Sequence, residues 1–183
     1  TTNGGTNWII QKNSGATCLQ VKFNSPTTGF AVGSNGSILK TTNSGTNWNS
    51  IISNTTLGLN DIRFSSAAEY WIVGDNGTIL RSSNSGSSWY SENLDTYASI
   101  HHISEFSGIK FIAGEYGLLA KKNNSDPWNF WNKGMNISIN WITFSEGVNG
   151  FGVGQYGRII KTTKGKKIWN DVYNGITGDS FYG

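Results

Sequence analysis

Short apolar stretches alternate with polar, glycine-rich segments along the whole chain. In stretches such as Leu59–Phe64 and Ile139–Phe144, apolar residues alternate with polar ones, which is typical of β-strands that bury one face. Each is followed by an aromatic and apolar strand, a Gly-x-x-Gly turn and a strand of Ile or Leu that ends in Lys or Arg. This pattern predicts β-hairpins rather than helices.

The hairpin recurs at a fixed spacing. Its first glycine is Gly33, Gly74, Gly114 and Gly154, a period of about forty residues that is usual for propeller blades. The strand before each hairpin and the strand after the next Trp bring the count to four strands per repeat. We therefore predict an all-β fold, a β-propeller of four-stranded blades in one domain, 1–183. The repeats span approximately 17–58, 59–98, 99–138 and 139–178, and 1–16 is the end of a preceding blade.

A second motif follows the hairpins, as in the segment Thr41-Thr42-Asn43-Ser44-Gly45-Thr46-Asn47-Trp48. It resembles the Asp-box, or bacterial neuraminidase repeat, with Asn in place of the family's Asp. An Asn side chain can bind nearby backbone amides and Gly can supply a positive φ, so we predict a turn that holds its Trp against the blade. The residues predicted to build these turns are Asn3, Gly5, Trp8, Asn43, Gly45, Trp48, Asn84, Gly86, Trp89, Trp128 and Trp169.

Metal binding is the alternative interpretation of the Asp-box, and the residues argue against it. Replacement of Asp by Asn removes the negative charge that a Ca²⁺ site favours. His101 and His102 are neighbours in a predicted strand, so their side chains point to opposite faces and cannot chelate one ion together. We predict no metal and no cofactor.

The hairpin from Phe30 to Lys40, followed by an Asp-box, resembles the photosystem II assembly-factor propeller family. This resemblance implies a non-enzymatic, typically seven-bladed propeller that binds other proteins, and relatives of this kind also occur in secreted bacterial proteins. Four full repeats are fewer than the six to eight blades that usually close such a ring. We therefore expect a segment of a larger propeller.

Composition limits the choice of partners. Only 14% of the residues are charged, and the net charge of +3 is spread along the chain, which argues against nucleic acid. No apolar run is long enough for a membrane span, so we expect no membrane insertion. Richness in Asn, Ser, Thr and Gly suits a secreted or cell-envelope bacterial protein.

An enzyme of the sialidase type is another functional alternative, because Asp-boxes are common in sialidases. The three arginines that could bind a carboxylate, Arg63, Arg81 and Arg158, occupy different positions of the repeat and need not converge. We therefore predict no catalytic residue, although a glycoside hydrolase remains the least favoured alternative.

Residues that vary between repeats at equivalent positions are the candidates for binding. The tentative set comes from the hairpin tips and the innermost strands: Tyr116, Tyr156, Trp141, Asp75, Glu115, Gln155, Asp61 and His102. Tyr116, Tyr156 and Trp141 are the predicted anchors, because exposed aromatics contribute disproportionately to interface energy. The predicted function is a protein-binding module with a scaffold or assembly role. A carbohydrate-binding, lectin-like propeller is the alternative, because sugars stack on Trp and Tyr.

Overall fold

The computed structural model describes residues 1, 3–11, 15–123, 125–131, 136–145, 149–163, 168–173 and 179–182. The described part of the chain contains sixteen strands and no helix long and apolar enough to cross a membrane. The strands are β1 Cys18–Phe23, β2 Gly29–Gly33, β3 Ile38–Thr41, β4 Asn49–Ile51, β5 Leu59–Phe64, β6 Tyr70–Gly74, β7 Ile79–Ser82, β8 Tyr90–Glu92, β9 Ile100–Phe106, β10 Ile109–Gly114, β11 Leu119–Asn123, β12 Asn129–Phe130, β13 Ile139–Ser145, β14 Asn149–Gly154, β15 Ile159–Thr162 and β16 Asn170–Tyr173.

The strands form four antiparallel sheets, each built from four consecutive strands in sequence order. We call them sheet A (β1–β4), sheet B (β5–β8), sheet C (β9–β12) and sheet D (β13–β16). The predicted all-β propeller architecture of four-stranded blades is confirmed. The first strands of neighbouring sheets, β1, β5, β9 and β13, lie side by side, so they are the inner strands.

The hydrophobic core is divided into three clusters that lie between the sheets. One cluster joins sheets A and B, the second joins B and C, and the third joins C and D. In each cluster an inner-strand isoleucine, Ile62, Ile103 or Ile142, is at most 1% exposed and packs on the preceding sheet. Each blade is therefore stabilised mainly by its neighbours, as in other repeat proteins.

The four sheets form an open arc. Among the described residues, the side of sheet A that faces away from sheet B is exposed: Leu19 and Val21 are each 54% exposed and Phe23 is 46% exposed. Among the described strands, those of sheets A and D do not pack on each other as the strands of neighbouring sheets do. The arrangement is that of a propeller segment, as the number of repeats predicted, and not of a closed four-bladed ring.

The two glycines of the Gly-x-x-Gly turns are required for different reasons. The second has a positive φ, as at Gly36 and Gly77, with φ of 66° and 69°. The first, such as Gly33, is extended, and a Cβ there would overlap the carbonyl oxygen of Thr17. This glycine is needed because the connection between blades passes directly over it.

The loops lie on two faces of the arc. On one face, the β2–β3 type of hairpin tip is hydrogen-bonded to the connection between sheets, as where Gly36 N donates to Leu57 O at 2.8 Å. On the other, the Asp-box turn meets the turn between the first two strands of its sheet, and Ser44 N donates to Thr27 O at 2.9 Å. We call these the tip face and the Asp-box face.

Candidate binding face and the polar row beneath it

The hairpin tips on the tip face share an uncommon backbone. The third residue of each Gly-x-x-Gly turn has a left-handed conformation: Asn35 (φ 56°), Asn76 (φ 53°), Tyr116 (φ 53°) and Tyr156 (φ 57°). Asn tolerates this conformation, whereas a bulky side chain is rarely found there. The two tyrosines are nevertheless 68% and 60% exposed, so no core packing compensates for the strain. These predicted anchors therefore lie at equivalent tips of the neighbouring sheets C and D.

The first variable tip position has a structural role in every sheet. Its side chain accepts a hydrogen bond from the connection that precedes the inner strand: Thr17 N donates to Ser34, Ser99 N to Glu115, and Ser138 N to Gln155, over 2.9–3.2 Å. In sheet B the equivalent Asp75 accepts from the side chain of Asn60 at 3.0 Å. The binding candidates Glu115 and Gln155 thus tie their tips to the connections, and Asp75 ties its tip to the inner strand β5.

The inner-strand candidates form one continuous row across the sheets. Gln20, Asp61, His102 and Trp141 face equivalent residues of their second strands, Val32, Val73, Ala113 and Val153. Gln20 Nε2 lies 3.4 Å from Asp61 Oδ1, and Asp61 Oδ2 lies 3.4 Å from His102 Nε2. His102 in turn stacks on Trp141, with ring centroids 3.7 Å apart. The row brings the three predicted binding residues Asp61, His102 and Trp141 together, with Gln20 at its end.

Asp61 is the most constrained residue of this row. It is 1% exposed and accepts hydrogen bonds from Ile62 N at 2.8 Å and from Ile103 N, on the next sheet, at 3.1 Å. Lys22 Nζ lies 2.7 Å from Oδ1 and supplies the opposite charge. A buried carboxylate is tolerated only when it is paired and hydrogen-bonded, and Asp61 is both. Its role is to fasten sheets A, B and C together.

His102 repeats the same inter-sheet bond one blade further on. Ile142 N donates to His102 Nδ1 at 3.3 Å, so the neutral ring carries its proton on Nε2, which faces Asp61. Burial lowers the pKa of His102 from 6.5 to about 4, against the opposing attraction of Asp61 and together with the repulsion of Lys22 and Arg63. His102 is therefore a neutral structural residue at physiological pH.

The Asp-box turns have the predicted hydrogen bonds. Asn43 Oδ1 accepts from Thr41 Oγ1 at 3.0 Å and from Asn47 N at 2.9 Å, and Gly45 N donates to Thr41 Oγ1 at 2.9 Å. The left-handed residues of this turn are Ser44 and Gly45. Because the turn uses an acceptor oxygen of the side chain, a neutral Asn can replace Asp.

The same turn occurs at Asn3 and at Asn84. Asn7 N donates to Asn3 Oδ1 at 3.0 Å, and Ser88 N donates to Asn84 Oδ1 at 2.9 Å. Gly5 N donates to the hydroxyl of Thr1 at 3.0 Å, and Gly86 N donates to the hydroxyl of Ser82 at 2.9 Å. These contacts are internal to the turn, so the motif is structural here.

The Asp-box tryptophans pack where the blades meet. Trp89 is 3% exposed and makes an edge contact with Phe30 of sheet A, and Trp128 makes one with Trp71 of sheet B. Trp169 joins the cluster between sheets C and D. Trp48 makes an edge contact with Phe23 of its own sheet, and Trp8 is 79% exposed.

Ion pairs of the described ranges are spread over the sheets rather than gathered in one site. In sheet B, Arg81 lies 2.8 Å from Glu69, and in sheet D, Arg158 lies 3.4 Å from Asp171. Within the described ranges, no three His, Cys, Asp or Glu side chains are placed to hold a metal ion. His101 binds Asn140 through Nδ1 at 3.2 Å, on the opposite side of the strand from His102.

A family model matches the first half of the chain and identifies its family. Residues 5–97, just over half of the 183 residues, match the family model described as Photosynthesis system II assembly factor YCF48. The chain belongs to the YCF48 family. The resemblance inferred from the hairpin and the Asp-box is therefore confirmed. No curated protein matches this YCF48-family chain significantly.

Solved structures agree on the fold. "YCF48 bound to D1 peptide" superposes with a TM-score of 0.74 at 21% identity, over 95% of this chain and 58% of that chain. YCF48 from Cyanidioschyzon merolae gives 0.68 at 16% identity, over 85% and 56%. The Niastella koreensis GH74 enzyme gives 0.64 at 14% identity, over 81% and 28%. The chain thus spans little more than half the length of either YCF48 structure.

Two features of the YCF48-family chain were missed by sequence reasoning. Lys22 is the ionic partner of Asp61, although the two residues are far apart in sequence and in different repeats. Asn60 and Asn140, next to the row, bind the backbone of the following segment, at Ile100 O and Phe181 O. Their recurrence at one repeat position was the available signal.

Proposed function

We propose that this chain is a non-catalytic, protein-binding propeller module with a scaffold or assembly role, and that it binds an extended polypeptide on its tip face. The observation that carries the proposal is the pair Tyr116 and Tyr156. Both are exposed aromatic residues in a left-handed backbone, at equivalent tips of neighbouring sheets. We further propose that the module belongs to a secreted or cell-envelope protein, on the strength of its composition.

The energetic argument compares these tips with those of sheets A and B. A left-handed backbone costs a residue other than Gly or Asn about 1–2 kcal/mol. Sheets A and B avoid this cost with Asn35 and Asn76, whereas sheets C and D accept it for side chains that lie mostly in solvent. Strain retained at an exposed position favours a binding role over a packing role. Tyrosine is also among the residue types most enriched in interface hot spots.

The relatives support a polypeptide ligand and leave the chemistry open. A YCF48 structure contains a D1 peptide, while GH74 enzymes share the same blade architecture. Fold alone therefore does not decide between binding and catalysis. The carboxylates of Asp61, Glu69, Glu92 and Asp171 are all engaged by cationic side chains, which favours a module without catalysis.

The experiment uses the residue that sheets A and B carry at the same position. A random peptide library displayed on phage is selected on the chain, and the Kd of the enriched peptides is measured for wild type and for the Y116N Y156N variant. Asn preserves the left-handed backbone, so the fold is retained and only the aromatic rings are lost. We expect Kd to rise about tenfold or more, because two anchors are removed.

The control is Tyr97→Ser, which removes a tyrosine that is 87% exposed and lies outside the tips of sheets C and D. This variant should bind the selected peptides like wild type. Enrichment of no peptide, or equal affinities for wild type and Y116N Y156N, would reject the proposal.

A further inference from the structure

A groove of about 830 Å³ lies on the tip face beside sheet B, between the two connections that flank this sheet. One wall is the A-to-B connection around Asn54, the other is the B-to-C connection around Asp95, and the hairpin tip at Asn76 closes one side. We propose that this groove binds a neutral oligosaccharide. The site is separate from Tyr116 and Tyr156, which belong to the tips of sheets C and D.

The groove is lined with groups that both donate and accept hydrogen bonds. Asn54, Asn76, Asn93 and Asp95 are exposed at its walls. Among the described residues, the side chains of Asn54 and Asn76 have no hydrogen-bond partner, whereas Asn93 Nδ2 donates to Asp95 Oδ1 at 2.8 Å. A sugar hydroxyl is both donor and acceptor, and amides with one carboxylate complement it without a large net charge.

Two tyrosines supply the apolar surface that a sugar ring needs. Tyr90 is 63% exposed and Tyr97 is 87% exposed, and both line the groove. The C–H face of a pyranose ring is apolar and carries partial positive charge, so it packs on the negative face of an aromatic ring. Tyr97 lies on the B-to-C connection, and at 87% exposure its ring is not needed for packing.

The floor of the groove is fixed by buried side chains. Leu80, Trp89 and Leu94 are at most 4% exposed and belong to the clusters on the two sides of sheet B. The hairpin tip is held against the B-to-C connection, because Gly77 N donates to Ala98 O at 3.0 Å. The polar walls are therefore held on a rigid base, as binding sites generally require.

The lining favours a saccharide over a peptide. Grooves that bind an amphipathic helix are hydrophobic, and small-molecule pockets are lined mostly by apolar side chains. Here the aliphatic residues Leu80 and Leu94 are covered, and only Leu57, at 37% exposure, contributes accessible aliphatic surface. The accessible surface is formed mostly by amides, hydroxyls and tyrosine rings, which match a ligand covered with hydroxyl groups.

The test titrates cellohexaose, maltohexaose and chitohexaose into the isotope-labelled chain at up to about 5 mM, which spans the weak end of specific affinities. Backbone chemical shifts are followed by NMR. We expect at least one oligosaccharide to shift the amides of Asn76, Gly77 and Tyr97 in a saturable manner. The variants Tyr97→Ser and the double Asn54→Gly, Asn76→Gly should each raise the Kd about tenfold. Gly keeps the left-handed φ at Asn54 and Asn76, so the double variant removes only the amides.

The Y116N Y156N variant is the matched control and should bind the oligosaccharide like wild type. This control separates the inference from the proposed function, since loss of peptide binding and loss of saccharide binding depend on different tyrosines. The inference is overturned if none of the three oligosaccharides shifts groove amides, or if shifts persist unchanged in Tyr97→Ser. Library peptides whose binding is lost in Tyr97→Ser, but retained in Y116N Y156N, would also overturn it in favour of a peptide groove.

Discussion

The same side of sheet A and of sheet B carries the same kinds of residue in very different surroundings. Val21, Phe23 and Trp48 of sheet A correspond to Ile62, Phe64 and Trp89 of sheet B. In sheet B this face packs on sheet A, and Ile62 and Trp89 are 0% and 3% exposed. In sheet A no described sheet covers it, and Val21 and Phe23 are 54% and 46% exposed.

The comparison shows that residues at one repeat position do not contribute equally to the stability of the fold. Burial of apolar area contributes roughly 25 cal/mol per Å², so the contribution depends on the neighbouring blade and not on the motif. Equal motifs in sheets A and B should therefore respond unequally to the same substitution. Paired substitutions measure this difference directly.

The largest difference is expected for the Asp-box tryptophans. Trp89→Ala should lower the free energy of unfolding by about 3–5 kcal/mol, because it leaves a cavity beside Phe30 in the cluster between sheets A and B. Trp48→Ala should cost distinctly less, since Trp48 packs on Phe23 at the exposed edge. Urea unfolding followed by fluorescence gives both values. Equal losses for the two variants would show that the face of sheet A is buried in solution.

The two Asp-box glycines give the second comparison. Gly45 and Gly86 both have positive φ, 87° and 73°, so an Ala at either position is strained. At Gly86 a Cβ would also lie 2.5 Å from the Phe30 ring of sheet A, whereas at Gly45 the nearest atom is Trp48 Nε1 at 3.5 Å. We expect Gly86→Ala to cost about 2–4 kcal/mol and Gly45→Ala about 1–2 kcal/mol.

The same denaturation experiment measures the glycine pair. A loss at Gly45 as large as that at Gly86 would mean that backbone strain alone decides the cost. The contact with Phe30 would then contribute nothing.

The blade architecture could be predicted from sequence, because period-two strands, glycine turns and recurring tryptophans are local signals. Contacts between repeats could not be predicted from sequence, because they depend on how neighbouring blades pack. Variation between repeats predicts Asp61 as a binding residue, but Asp61 is buried, since its inner strand lies between those of sheets A and C. The residue type alone predicts Tyr116 and Tyr156 as anchors, whereas their left-handed backbone depends on the folded turn. Their binding role stays a prediction.

The polar row supplies the third comparison, because sheet A has Gln20 where sheet C has His102. The folded pKa of His102, about 4, lies below the unfolded value of 6.5. As the pH falls from 6.5 to 4, the unfolded chain takes up a proton that the folded chain does not, so stability falls by up to about 1.4 kcal/mol per pH unit. Below pH 4 both states are protonated and no further loss follows from this residue.

The test substitutes the residue of sheet A into sheet C. His102→Gln should remove this component, so the stability difference between wild type and variant should shrink by about 2–3 kcal/mol as the pH falls from 7 to 4. Urea unfolding at a series of pH values provides the measurement. Parallel curves for the two proteins over that range would contradict a buried, neutral His102.

The smallest effect is expected for a reciprocal exchange of Val and Ile between sheets A and B. It compares the exposed face of sheet A with the buried face of sheet B directly. Ile62→Val removes one buried methylene and should cost about 1 kcal/mol. Val21→Ile adds the same group at an exposed position and should change stability by less than about 0.5 kcal/mol. A clear gain from Val21→Ile would mean that the face of sheet A is covered in solution. Repeating the measurement at several protein concentrations would then separate self-association from cover by the same chain, because only self-association makes stability depend on concentration.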